Sequence, residues 1–307
     1  MPKIHIERSK TIQAPVEKVY QSLTDFNDWV KWSPWLIMEP GVEVNVSDDA
    51  HYYDWKGNRV GEGNMQLLDS KENESISYDL NFLKPWKSHA KVDFYLSSSG
   101  KETTVTWSMD SSLPFFMFWM KTMMEGYVGM DYERGLNLLQ DFMEDGEIHS
   151  KLDFRGESQF DGVIYVGIKT TCPLKDLGER MSADFKALES FMKEHEALHG
   201  GKTFSIYHDW NMKKKTATYT SCVAVTEAPS GLSAGLFVGN IPSTKVYTVR
   251  HIGPYQHLGN AWSTLMNMKQ QKEFKAVKGI HPFEEYINNP NEVEPNDLIT
   301  DIHFAIK

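Results

Sequence analysis

Apolar and polar residues alternate from the start of the chain. The stretch Ile4-His-Ile-Glu-Arg-Ser-Lys-Thr-Ile12 predicts a strand with one buried face. Pro15 suits the first turn of a helix, and Val16, Val19, Tyr20 and Leu23 follow at helical spacing. Asp25-Phe-Asn-Asp-Trp-Val-Lys-Trp-Ser-Pro-Trp35 predicts a second, aromatic-rich helix that Pro34 stops. Beyond Gly41 the period becomes two. Strands are expected near 42–46, 51–55, 60–69, 74–82, 88–97 and 101–109, punctuated by clusters such as Ser97-Ser-Ser-Gly100. From about Phe116 to Asp145 the spacing turns helical, with Phe116, Trp119, Met120, Met123, Tyr127, Met130, Leu138 and Phe142 broadly on one side. Gly126, Gly129 and Gly135 each weaken that helix by up to about 1 kcal/mol. Either something packs closely against them or the helix breaks.

Glu144-Asp-Gly-Glu-Ile-His-Ser-Lys-Leu-Asp153 is polar and unpatterned, so a linker is expected there, between domains at 1–148 and 155–307. The second half predicts a strand at Gly162–Ile168, a helix from Asp176 to Leu198, and strands at Thr203–Tyr207 and Ala217–Val225. A strand at Thr244–Val249, a helix from Pro254 to about Phe274, and strands at Phe283–Ile287 and Leu298–Phe304 come next. Strand-helix-strand-strand therefore occurs twice, an internal pseudo-repeat of element order with little shared identity. The expected class is α+β: an antiparallel sheet with a long C-terminal helix, then a second α+β domain of two such units.

One run carries the most chemistry. Phe283-Glu-Glu-Tyr-Ile-Asn-Asn-Pro290 sets adjacent carboxylates in an aromatic strand. Alternation puts Phe283, Glu285 and Ile287 on one face and Glu284 and Tyr286 on the other, so an acid is carried toward the interior whichever face is buried. A buried carboxylate costs several kcal/mol unless it is paired or serves a ligand. The alternative is an edge strand with both acids in water.

Composition narrows the function. The chain has 307 residues, long enough for two domains, and 24% are charged, which is globular rather than disordered. Its net charge of −10 argues against a nucleic-acid face, and Lys213-Lys-Lys215 reads as a solvated turn. The N-terminus lacks the apolar stretch of a signal peptide. Leu113-Pro-Phe-Phe-Met-Phe-Trp-Met120 is far shorter than the ~20 residues of a membrane helix. Cys172 and Cys222 are too few for a disulfide framework, so a cytoplasmic protein with no membrane span is expected. Nine Trp and 15 Met suit the walls of apolar cavities, though the same residues also fill ordinary cores.

The second half resembles the GyrI-like, or AraC-type effector-binding, small-molecule domain. The resemblance rests on Ile206-Tyr-His-Asp209, on Lys245-Val-Tyr-Thr-Val-Arg-His-Ile-Gly-Pro-Tyr255 leading to Trp262, on Phe283-Glu-Glu-Tyr-Ile-Asn-Asn-Pro290, and on Leu298-Ile-Thr-Asp-Ile302. The first half resembles the SRPBCC helix-grip superfamily (polyketide cyclase and START-like) through its opening strand, Gln13-Ala-Pro-x-x-x-Val-Tyr20 and Asp25-Phe-x-x-Trp-x-x-Trp-Ser-Pro34. The GyrI-like resemblance implies a pocket between the pseudo-repeats. There Glu284 would anchor a hydrophobic, cationic or planar molecule, with Tyr207, Trp262, Tyr286, Tyr255 and His251 as further ligand-binding candidates. Rings beside a carboxylate add cation–π attraction of ~0.5–2 kcal/mol each. The helix-grip resemblance implies a second cavity, with Trp32, Trp35, Tyr53, Trp55, Trp86, Trp107, Phe116 and Trp119 as wall candidates.

The expected function is a small-molecule binding protein acting as sensor, sequestering or resistance factor. The alternative is a hydrolase or cyclase acting on hydrophobic natural products, with Glu284 as general base beside Tyr207 or His251. No cofactor is expected. His195-Glu-Ala-Leu-His199 satisfies the H-E-x-x-H pattern of zinc proteases, but Gly200-Gly201 is expected to end the helix and Ser205 stands where a third histidine would fall. A decoy is the expectation.

Overall fold

Strand alternation in the first half builds a seven-stranded antiparallel sheet, in a computed structural model that describes residues 3–85, 87–112 and 115–307, without the side chains of 115–117. Its strands are β1 (Lys3–Ile12), β2 (Glu43–Val46), β3 (Tyr52–Lys56), β4 (Glu62–Lys71), β5 (Ser75–Lys84), β6 (Ser88–Ser99) and β7 (Glu102–Ser112). Their order is β1-β7-β6-β5-β4-β3-β2. Helices α1 (Val16–Thr24) and α2 (Phe26–Trp32) follow β1, and a 3-10 turn, Phe115–Met120, leads into α3 (Lys121–Asp145). The inward residues Ile4, Ile6, Ile12, Tyr78, Phe94, Val105 and Trp107 meet Tyr132, Leu136, Leu138 and Leu139 of α3 in one core. Asp25 caps α2 by accepting from the Asn27 backbone N–H at 2.7 Å. Buried Arg134 donates to the Pro34 carbonyl at 3.0 Å and pairs with Asp131 at 2.7 Å, which ties the turn carrying Trp35 to α3.

The glycines of α3 do not break it. A Cβ on Gly135 would lie 2.6 Å from the Trp107 ring, and one on Gly129 would meet the Arg8 guanidinium at 2.1 Å. Close packing is the answer at both.

The chain divides into units at 1–150 and 151–307. The second holds β8 (Lys151–Phe160), β9 (Val163–Pro173), α4 (Leu177–Glu194), β10 (His199–Asn211) and β11 (Thr216–Val225). It continues with β12 (Phe237–Ile241), β13 (Thr244–Ile252), α5 (Leu258–Gln270), β14 (Phe283–Tyr286) and β15 (Ile299–Ile306). One eight-stranded sheet runs β12-β9-β11-β10-β14-β15-β13-β8. The two predicted units, β9-α4-β10-β11 and β13-α5-β14-β15, therefore lie back to back with β10 against β14 at the seam. The segment expected to be linker already enters this sheet at Lys151 as β8, and the helix expected to reach Leu198 stops at Glu194.

Leu188, Phe191 and Met192 of α4 cover Val166, Val223 and Val225, while Ala261, Leu265 and Met268 of α5 cover Val249, Ile302 and Phe304. Pairing in register (Val223↔Thr203↔Tyr286; Val249↔Ile302↔Glu284) puts both helices on the sheet face that carries Glu284 and Tyr286. The opposite face packs Phe160, Phe204, Ile206, Cys222 and Phe283. Among the described residues no helix is long and apolar enough to cross a membrane.

Candidate ligand-binding site

At the seam, β14 lies between Ser205 of β10 and Ile302 of β15, and Glu284 points up toward the helices, 2% exposed. Its Oε2 accepts from the Tyr207 hydroxyl at 3.0 Å and from the Tyr286 hydroxyl at 2.9 Å. Its Oε1 accepts from the indole N–H of Trp262 on α5. Tyr286 also lies 3.0 Å from Ser205 Oγ, whose hydroxyl can donate back to the phenol oxygen. The rings close on one another: Tyr207 and Trp262 at 4.9 Å, Tyr255 and Tyr286 at 5.7 Å, Phe185 and Tyr286 at 5.6 Å. Met181, one turn before Phe185 on α4, brings its sulfur to 3.9 Å from the Tyr286 hydroxyl.

Among the described residues no Lys, Arg or His forms an ion pair with Glu284. Three neutral donors hold it instead. Burial raises its pKa, and the hydrogen bonds from Trp262, Tyr286 and Tyr207 only partly offset that. Burial and the neighbouring carboxylate push the Tyr207 and Tyr286 phenols well above their ordinary range, so both remain protonated donors. Tyr255, 38% exposed and the outermost of the rings, is pushed up to about 12 by burial and then by Glu284.

The neighbouring acid behaves oppositely. Glu285 faces the other side of the sheet, 3.0 Å from Lys202 Nζ and 3.6 Å from His303 Nε2. Burial pulls its pKa upward, but His303 and Lys202 outweigh that and hold it below the usual carboxylate range. One strand thus carries a compensated carboxylate on one face and an uncompensated one on the other.

Of the residues singled out from sequence, Tyr207, Trp262 and Tyr286 bond Glu284 directly, and Tyr255 extends the ring cluster. His251 is not bonded to Glu284. It is fully buried on β13, opposite Thr300 and two strands from Tyr286, outside the set of groups bonded to Glu284. Burial and then His257 depress its pKa to about 3, so it is a neutral interior residue. Met181, Phe185 and Ser205 were missed. Met181 and Phe185 share an i, i+4 stripe, but nothing local in the sequence says what that stripe overlies.

In the first domain a small apolar hollow of about 50 Å³ opens between sheet and helices. Trp35, Tyr53, Trp55 and Trp107 line it, joined by Trp29 and Tyr132. Trp32 is fully buried, but it packs 4.6 Å from Trp29 in the core and is not in the wall. Trp119 is 68% exposed and is no wall residue either. Trp86 and the side chain of Phe116 lie outside the described residues. An empty apolar cavity of ~150 Å³ accepts benzene. A lipid or polyketide guest would therefore require these walls to part.

The zinc-like pattern is not one helical turn. His195 ends α4, with its ring stacked on Phe191 and Nδ1 2.9 Å from the Phe191 carbonyl. His199 begins β10 and accepts from the Gly201 backbone N–H at 3.1 Å. Among the described residues no group of three or more His, Cys, Asp or Glu is arranged around a metal position.

The second domain thus places a ring-walled carboxylate at the seam of two half-domains, under paired helices. The GyrI-like small molecule binding domain matches residues 158–307, and the polyketide cyclase / dehydrase and lipid transport family matches residues 3–144. The C-terminal half of the chain thus matches the first of these families and the N-terminal half the second. No curated protein matches it. Solved structures similar to it include the EcmrR–DNA complex in EcmrR-RPo, with 20% identity over 62% of this chain and 69% of that one, TM-score 0.43. The EcmrR C-terminal domain shows 20% identity over 52% of this chain and 98% of its own, TM-score 0.39. Protein MLL2253 from Mesorhizobium loti shows 17% identity over 48% and 100%, TM-score 0.36.

Proposed function

We propose that the protein binds hydrophobic, cationic small molecules at Glu284 and acts as a sensor, sequestering or resistance factor for them. The observation that carries this reading is a carboxylate 2% exposed, held by three neutral donors and ion-paired with no described side chain. An ionised group in that position is costly, and two things relieve it: a proton or a cation. A delocalised organic cation suits the second role. It brings little hydration to strip, and its flat face meets the rings of Tyr207, Trp262 and Tyr286. Tyr255 stands on the exposed side, where a guest would enter.

The test is a fluorescence titration with a rhodamine-type lipophilic cation against the wild type and Glu284→Gln. The substitution keeps the shape and a carbonyl acceptor while removing the charge. Affinity is expected to fall by about tenfold or more, the equivalent of ~1.4 kcal/mol. Equal affinity in the two proteins would refute the cationic pocket.

A further inference from the structure

Two large rings of the second domain stand out in water, and both belong to the cluster around Glu284. Among the described aromatic side chains of that domain, Tyr255 at 38% and Trp210 at 37% are the most exposed. Tyr255 packs 5.7 Å from Tyr286, and Trp210 packs 6.3 Å from Tyr207. Tyr286 and Tyr207 in turn donate to the same oxygen of Glu284. Each exposed ring therefore continues one arm of the hydrogen-bonded centre.

Strand register sets the two arms in opposite directions. Tyr286 lies across from Thr203 and Glu284 across from Ser205. Tyr207 stands further along β10, its backbone N–H bonded to the Pro282 carbonyl at 3.0 Å. The pairing of β10 with β11 then slips between Tyr207 and Asp209, so that Tyr207 meets Tyr219, Asp209 meets Thr218 and Trp210 meets Ala217. Regular alternation would turn Trp210 to the opposite face, that of Phe204 and Ile206. The bulge returns it to the face of Tyr207 and Glu284. On β11 the levels of Tyr286 and Trp210 fall at Val223 and Ala217, about 20 Å apart along the strand. A compact cation at Glu284 would cover the inner rings and leave Trp210 in water.

Resting on the reading of Glu284 as a cation anchor, we propose that the site takes elongated cations with an aromatic group on either side of the charge. Trp210 is the stacking platform for one of those groups. A planar guest laid along this track meets the carboxylate between its ends and a ring at each end, where aromatic and cation–π attraction both act. It also removes from water the two rings that the fold leaves exposed.

The test is isothermal titration calorimetry of the full chain with two related cations. Pseudoisocyanine joins two N-ethylquinoline rings around one shared positive charge, and N-ethylquinolinium is its single-ring half. Wild type binds the two-ring cation more tightly. Trp210→Ala weakens pseudoisocyanine about fivefold or more and leaves N-ethylquinolinium within about twofold, while Trp210→Phe keeps most of the affinity. Unchanged binding of the single-ring cation also shows that the variant is folded. Equal losses for both cations overturn the proposal, since Trp210 would then act only by supporting Tyr207. Wild type that binds the half as tightly as the whole overturns it too, as does Trp210→Ala with wild-type affinity for both. Glu284→Gln separates this proposal from the reading beneath it. Weakening of both cations in that variant upholds the anchor whatever Trp210 does. No weakening of either removes the anchor, and the proposal with it.

Discussion

Two neighbouring acids on one strand meet opposite surroundings. Glu284 and Glu285 differ by a single step along β14, yet one faces tyrosines and an indole while the other faces Lys202 and His303. The strand pleat decides which: alternation read from the sequence put the two on opposite faces, and only the GyrI-like resemblance singled out Glu284. What the sequence could not show is that Ser205, Met181 and Phe185 complete the surroundings of Tyr286, because their approach depends on long-range register and helix placement. The surroundings of His251 were illegible for the same reason, since a position near a helix start says nothing about which strand lies across from it. Its depressed pKa has a consequence for stability. Below 6.5 the unfolded chain takes up a proton at this site that the folded chain refuses until about 3. The folded state then binds fewer protons, so stability falls as pH drops through that window, at up to about 1.4 kcal/mol per pH unit. Urea denaturation at pH 7 and pH 5 should show wild type losing roughly 2 kcal/mol more than His251→Gln over that interval. Parallel losses would place the titrating group elsewhere.

At the scale of elements, the sequence was most legible where one face of an element is buried and least where none is. Strands β4 to β7 were read from their alternation to within a few residues. The two strands of the second sheet that escaped notice, β8 and β12, are its two edges. An edge strand is polar or short because it has a neighbour on one side only, which removes the signal that marks a strand. The end of α4 was misplaced because His195 terminates it through Phe191, not through the glycines that follow. Helix α3 allows a sharper check. At Gly135 an added methyl would press on Trp107, which is 1% exposed and stacked 4.0 Å from Tyr132, so the ring cannot retreat. Gly135→Ala should cost about 1–3 kcal/mol despite alanine's better helix propensity. Gly129→Ala meets only the end of the flexible Arg8 side chain and should be neutral or stabilise by up to ~1 kcal/mol. Thermal melts of the two variants that shift in the reverse order would contradict this packing.

For the whole molecule, the repeat in element order becomes a reason for where the site lies. Back-to-back half-domains share a sheet, each lays its helix on the same face, and Glu284 sits on the strand at their seam. Neither half holds the site alone: β10 supplies Tyr207, β14 supplies Glu284 and Tyr286, and α5 supplies Trp262. Element order was visible in the sequence, but the pairing of β10 with β14 that unites the halves was not, because strand order is a property of the folded sheet. The central claim is that an unpaired carboxylate buried among rings waits for a positive guest. Its most direct test compares a lipophilic cation with its neutral isostere across pH. Glu284 holds its proton to a pH above the usual carboxylate range, so the cation's advantage should be absent in acid. It should then grow as pH rises through that raised pKa, while the neutral compound binds equally throughout. A ratio of the two affinities that stays flat with pH would contradict the account.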